Sequence, residues 1–519
     1  MYAATVAHCP PGHHSRVKSR WMSNQDIESA TAQVLTQGGD TRIELNAAGV
    51  NIYACGPRPD PALVQFGSST GSVISSTGFQ AAVALYKRLY NRQGDYHAEV
   101  ERQRCELSAL SGASRLPGID VVFAASGTDI HLFAAQLATL GQRTPLQAVM
   151  VEPAETGSGV PAALAALHFA TRTSQGRPVT CGVPLSDTPL QPPLGVKLRQ
   201  TDGSLRSVAE VDAEFAAHVN RLMLADGRCM LVMTDVSKTG LLAPSLACAT
   251  ALRQRFGDQL TVLVDACQFR LSSEALLGYL SQDFMVAITG SKFIGGPAFC
   301  GALLLPPAVA QSNRMVSLKV LADYSARSDW PPGWLPAKAL AESVNLGVLL
   351  RWEAALTELR RFRAIPDHVV HDFLQAWQQA VTSRIAQDDS FEVLPVLPLA
   401  RSHANGLQPW DSVQTIFPFQ VFKPKAGGGR QALSQEETAH VHRQLRDPQG
   451  AFGAPGTRFQ LGQPVLCGLQ GGEPVSALRM CSSARLVTES MAARQPVDKA
   501  IAQAMRAFDK LAQLAQALR

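Results

Sequence analysis

The chain has 519 residues, 46% of them hydrophobic and 17% charged, with 47 Lys and Arg against 42 Asp and Glu for a formal net charge of +5. That length exceeds what one hydrophobic core organises and predicts two lobes of one enzyme-sized chain, not a small binding module. The charge is too dilute for a nucleic-acid footprint, and the scattered 40 Gly and 32 Pro fit a folded α/β chain.

Residues 1–35 read as an N-terminal arm, polar and basic without sustained periodicity. His13 and His14 have no Cys or carboxylate neighbours and read as a solvated tail, not a metal site. No apolar stretch suits an export signal or a bilayer span, so no membrane partner is expected. The ten cysteines form no CxxC pair and several lie inside apolar runs, which predicts free thiols and a reducing cytoplasm. The run Ser68-Ser69-Thr70-Gly71 and Ser75 lead into a helical pattern at Phe79–Tyr90, as capping residues or as contacts to a site. Next come a buried strand over Ile119–Ala125, a tight Ser126-Gly127-Thr128 turn and a helix beginning near Asp129, an arrangement that suits an anion.

Apolar strands at 147–153, 229–236, 259–266 and 284–290 alternate with helical stretches such as 161–171. This alternation predicts a mostly parallel sheet with helices on both faces, and ligands at the carboxyl ends of its strands. After about Pro306 the texture changes to a long helical stretch at 343–363, a strand-like 414–422, and a capping box at Ser434 with Glu437. The expected organisation is the arm, a large domain over 36–306 and a smaller α+β C-terminal domain over 307–519. AGGGR at 426–430 reads as a flexible loop, because no strand-to-helix context surrounds it.

Two segments carry the chemistry. In VLVDACQFRLSSEAL (262–276) an apolar strand ends at Asp265, a carboxylate whose desolvation requires a cation or hydrogen bonds. In AITGSKFIGGPAFCGALLLP (287–306) another strand ends in Thr289-Gly290-Ser291-Lys292, followed by a Gly-Gly-Pro turn that leaves the lysine partly buried. A desolvated amine is a nucleophile toward aldehydes. The economical combination is pyridoxal phosphate (PLP): Lys292 holds the aldehyde as a Schiff base and Asp265 keeps the ring nitrogen protonated. The 126–128 turn then supplies phosphate donors, with Thr289 and Ser291 as further hydroxyls.

The order SGT, VDACQ, TGSK with its trailing GGP resembles the fold type I PLP enzymes, particularly the class V aminotransferase and cysteine desulfurase group, over roughly Gly71 to Pro306. The resemblance implies that Gln268 contacts the ring hydroxyl, and that Ser237, in MTDVSKTGLLAP (233–244), stands where that family has asparagine. Thr156, after Glu155, replaces the family's stacking histidine, and its methyl group is left to cover the ring face. Ser291 likewise replaces a frequent histidine. These departures mark a diverged subgroup.

The resemblance also places a carboxylate-binding arginine at Arg479, with Arg485 as second choice. It implies a homodimer with each site near the subunit boundary, acting on a small-molecule amino acid or related amine. Transamination is the preferred outcome. Sulfur transfer through Cys467 is the alternative, although Cys467 and Cys481 also read as buried strand cysteines. A catalytically silent scaffold or sensor is a third reading, which Lys292 and Asp265 together oppose. A nicotinamide dehydrogenase lacks its GxGxxG, and a serine hydrolase lacks GxSxG because Thr156 precedes Ser158 by two.

Overall fold

The computed structural model describes residues 23–518 except 68–70, 143, 145, 188–189, 226, 402–408, 426, 448–456 and 494–496. His13, His14 and the Ser68-Ser69-Thr70 run lie outside the described residues. The strands, in chain order, are β1 (Leu63–Phe66), β2 (Asp120–Ala124), β3 (Leu146–Val151), β4 (Gln191–Val196), β5 (Arg228–Thr234), β6 (Leu260–Ala266), β7 (Met285–Thr289) and β8 (Gly301–Leu305). They continue with β9 (Phe391–Val393), β10 (Ile416–Pro424), β11 (Arg430–Ala432), β12 (Arg458–Gln470) and β13 (Glu473–Cys481).

Seven of them form one sheet in the order β2-β8-β7-β6-β5-β3-β4. Pairing is parallel from β7 through β6, β5 and β3 to β4, and only β8 runs against its neighbours. The mostly parallel sheet expected from the alternating pattern is what the chain forms. The reason is visible in β5, β6 and β7, which are apolar on successive residues and therefore need cover on both faces. Along β6, Val262, Val264 and Ala266 join the core under the helix Val208–Leu224, whereas Leu263 joins the core under the helix Gly127–Ala138.

The second sheet has the order β1-β12-β13-β10-β11, with β9 on β10. It is antiparallel apart from β1 with β12, so residues 63–66 join the N-terminal part of the chain to the C-terminal sheet. The helix Leu346–Arg363 and the Ser434–Glu437 capping box form as the sequence indicates. A buried ion pair ties the segment between β9 and β10 to the end of β5: Arg401 Nε lies 2.9 Å from Asp235 Oδ2, and Tyr279 donates to the same oxygen at 2.6 Å.

Part of the expected arm is ordered. Asn24–Val34 is a helix, started by a Ser23–Asp26 capping box and seated on Ile27, Thr31 and Ala32. So few apolar positions give little periodicity to read. β4 is likewise absent from the sequence reading: QPPLGV carries two prolines, which an edge strand accommodates because one side has no ladder to complete.

Candidate active site

The carboxyl ends of β2, β5, β6 and β7 and the turn after β3 converge on Lys292. Its loop is fixed at several points. Phe293 N donates to Gln268 O (3.2 Å), Ala484 N donates to Phe293 O (2.8 Å), and the Phe293 ring stacks on Trp410 at 5.4 Å. The glycines here answer to a close approach by the helix Leu346–Arg363: a Cβ on Gly290 or Gly296 would lie 2.5 or 2.7 Å from the Ala355 Cβ. Lys292 itself is partly exposed and lines three cavities.

The first cavity is bounded by Ser126, Gly127, Thr128, Thr156, Asp265, Thr289 and Ser291. Ser126 caps the helix Gly127–Ala138, its Oγ accepting from Thr128 N (3.2 Å) and Asp129 N (3.3 Å). Gly127 sits tightly: a Cβ there would meet Cys267 Sγ at 3.1 Å and the Thr289 methyl at 3.4 Å. Thr289 Oγ1 donates to Cys267 O (2.6 Å), and Ser291 Oγ lies 3.4 Å from Thr289 Oγ1.

Asp265 is buried at the end of β6. Its Oδ1 accepts from Cys267 N (3.2 Å) and its Oδ2 from Thr156 Oγ1 (3.3 Å). Burial by itself would push this carboxyl up. The neighbouring His131 and Lys292 and the Cys267 side chain outweigh it and hold the group well below the usual carboxylate range.

His131 was not singled out from the sequence. Its Nε2 lies 3.4 Å from Asp265 Oδ2, and its Nδ1 lies 2.6 Å from Gly127 O, an acceptor, which makes that nitrogen the donor. The available signal was its spacing, one helical turn after Gly127 on the same face. Arg42 was also missed, since it lies 84 residues from the turn it serves. Its guanidinium donates to Ser126 Oγ (3.3 Å) and Thr128 Oγ1 (3.2 Å), is paired with Asp40 at 2.5 Å, and lies 5.1 Å from the Phe299 ring centroid.

On its other side Lys292 shares a cavity with Glu155, Ser237, Lys238, Gln268, Gln463 and Arg479. Arg479, 2% exposed, donates to Gln463 O (2.8 Å) and Lys238 O (3.2 Å), so backbone carbonyls, not a carboxylate, hold it. Gly462 makes room for it: a Cβ there would lie 2.9 Å from the Arg479 side chain. Gln268 Oε1 is buried without a hydrogen-bond partner among the described residues. Ser237 Oγ donates to Glu155 Oε2 (2.7 Å) and accepts from Leu241 N (3.2 Å), which fixes the turn after β5.

Arg485 and Ser75 line the third cavity together with Lys292, and Cys467 lies apart. Arg485 is paired with Glu489 at 2.7 Å and donates to Val73 O, in the third cavity. Ser75 caps the helix Ser76–Tyr90 and donates to Glu358 at 2.6 Å. Cys467 lies in an apolar cluster with Leu394, Phe422, Ala432, Val475 and Ala477; its thiol faces Val475 O at 3.5 Å, and burial pushes it up. It does not line the cavities that Lys292 lines.

No protein-family model matches the sequence, and no curated protein matches it. Solved structures do. The structure of Oryza sativa TDC with PLP and tryptamine is 13% identical, with 88% of this chain and 84% of that one covered and a TM-score of 0.50. Mouse CSAD is 16% identical over 87% of this chain and 84% of that one, with a TM-score of 0.49. The cysteine desulfurase CsdA from Escherichia coli is 14% identical over 87% and 95%, also with a TM-score of 0.49. At these identities the likeness to TDC shows a shared fold, the fold type I architecture of a mostly parallel seven-stranded sheet with helices on both faces.

Proposed function

We propose that this protein is a PLP-dependent enzyme acting on an amino acid or related amine, of class V aminotransferase type, working as a homodimer in a reducing cytoplasm, with its cofactor held by the 36–306 region. One observation carries the reading: a single lysine, Lys292, stands between a cavity with an ionised Asp265 beside a helix-capping turn and a cavity holding a carboxylate-free Arg479.

The residues present fit the cofactor. Gln268 Oε1, buried and without a partner among the described residues, is left to accept from the ring hydroxyl in this reading. The tight Gly127 and the hydroxyls of Ser126 and Thr128, with Thr289 and Ser291 beside them, suit a phosphate. PLP supplies an aldehyde that condenses with amines and a ring that draws electrons from the neighbouring carbon. With PLP bound, Lys292 Nζ would take the proton from the substrate Cα and deliver it to the cofactor carbon that carried the aldehyde. Asp265 keeps the ring nitrogen protonated, Thr156 covers the ring face, Ser237 steadies the turn beside it, and Arg479 orients the substrate carboxylate.

The reaction type is tested by incubating the protein with a panel of amino acids, then with 2-oxo acids. The expected result is formation of pyridoxamine phosphate, reversed by a 2-oxo acid. Release of carbon dioxide or sulfide without it would replace transamination with lyase chemistry. The position of Cys467 in an apolar cluster gives sulfur transfer no support.

Arg42 joins the phosphate contacts in this reading. Arg42→Met is expected to weaken PLP binding about tenfold or more, the loss typical of a charge-assisted hydrogen bond. Binding of pyridoxal, which lacks the phosphate, should be unchanged. Equilibrium dialysis with both compounds checks this, and equal losses would remove Arg42 from the phosphate site.

A further inference from the structure

We infer that the substrate carries two anionic groups, one held by Arg479 and the other by Lys238. This rests on the reading above, in which Lys292 is the reacting amine. The charges around the shared cavity are Lys238, Lys292 and Arg479 against Glu155 and Asp265. Asp265 is assigned to the ring nitrogen, and Lys292 to the cofactor.

Glu155 is already satisfied. It accepts from Ser237 Oγ (2.7 Å), Thr239 N (3.1 Å) and Thr239 Oγ1 (2.7 Å), and it lies 4.0 Å from Arg199 Nε, a cation outside the cavity wall. Arg479 and Lys238 are left. A single α-carboxylate balances one of them, and the other remains a part-buried cation with no ion-pair partner among the described residues, an unfavourable arrangement.

Lys238 shows that cost. Its backbone is pinned, with its N–H donating to Glu155 O (2.9 Å) and its carbonyl accepting from Arg479, so the side chain starts from a fixed point beside the guanidinium. Its ammonium is in no ion pair among the described residues. Burial, then the positive charges of Arg479 and Lys292, lower it to about 8, with Glu155 opposing. An oxyanion on the substrate side chain would relieve this, and a neutral side chain would not. The substrate class is therefore an amino acid with a carboxylate or another oxyanion on its side chain.

The test compares succinate, glutarate and adipate with butyrate, pentanoate and hexanoate by calorimetry on the PLP-loaded protein, at pH 7. The best dicarboxylate is expected to bind at least tenfold more tightly than its matched monocarboxylate. Lys238→Met should reduce that preference to within about twofold, Lys238→Arg should keep it, and Arg479→Lys should weaken both series. Equal binding of matched pairs to the parent protein, or a preference that survives in Lys238→Met, would overturn the inference. PLP retention is measured on the same samples. A protein that binds no PLP but prefers dicarboxylates sinks the enzymatic reading alone, and one that holds PLP without the preference sinks the dianion alone.

Discussion

Lys292→Ala is expected to abolish borohydride-stable retention of PLP and to lower turnover at least ~10³-fold, within the span that a positioned acid–base group contributes. Peptide mapping of the reduced parent should place the pyridoxyl group on Lys292 and on no other lysine. The informative competitor is Lys238, the second amine in the same cavity. Label on Lys238, or retention by the alanine variant, would overturn the assignment. Folding should survive the change, because the loop is held by Phe293 between Gln268, Ala484 and Trp410, not by the lysine side chain.

Asp265→Asn should lower kcat about 10²–10³-fold, the effect of removing one preorganised electrostatic partner in a buried site. The change keeps the shape and removes the charge, so PLP should remain attached through Lys292 while turnover falls. Retained turnover would show that this carboxylate does not tune the ring. The variant should also differ in acid. The folded Asp265 carboxyl is depressed by His131 and Lys292, so its contribution to stability is complete above the unfolded carboxyl value of about 3.9 and is lost as pH falls from there through the lower folded value. Asparagine cannot titrate, so the parent should lose more stability than Asp265→Asn between pH 5 and pH 3, as read from denaturation midpoints.

The part of the fold that was legible is the part whose burial is written into consecutive residues. The middles of β5, β6 and β7 are runs of successive apolar residues because helices cover both faces, and Asp265 and the 289–292 stretch stand where the strands end. The turn at Ser126 was legible for the same reason, a small-residue break between an apolar strand and a helix. β4 was not, since two prolines mask an edge strand, and neither was the helix at 24–34, whose buried stripe is only three residues wide. Arg42 and His131 escaped because a contact made across 84 residues, or one turn into a helix, leaves no mark in local periodicity.

Local sequence alone was enough for most of the strand and helix order, for the breaks where polar groups meet the strand ends, and for an acid and an amine at the ends of adjacent strands. Which charges surround that amine depends on how distant segments pack. Lys238 follows β5, Arg479 lies on β13 of the other sheet, Glu155 follows β3, and Arg42 precedes the first strand. Strand order and the packing of the two sheets bring them around Lys292, and neither is encoded in the spacing of any single segment.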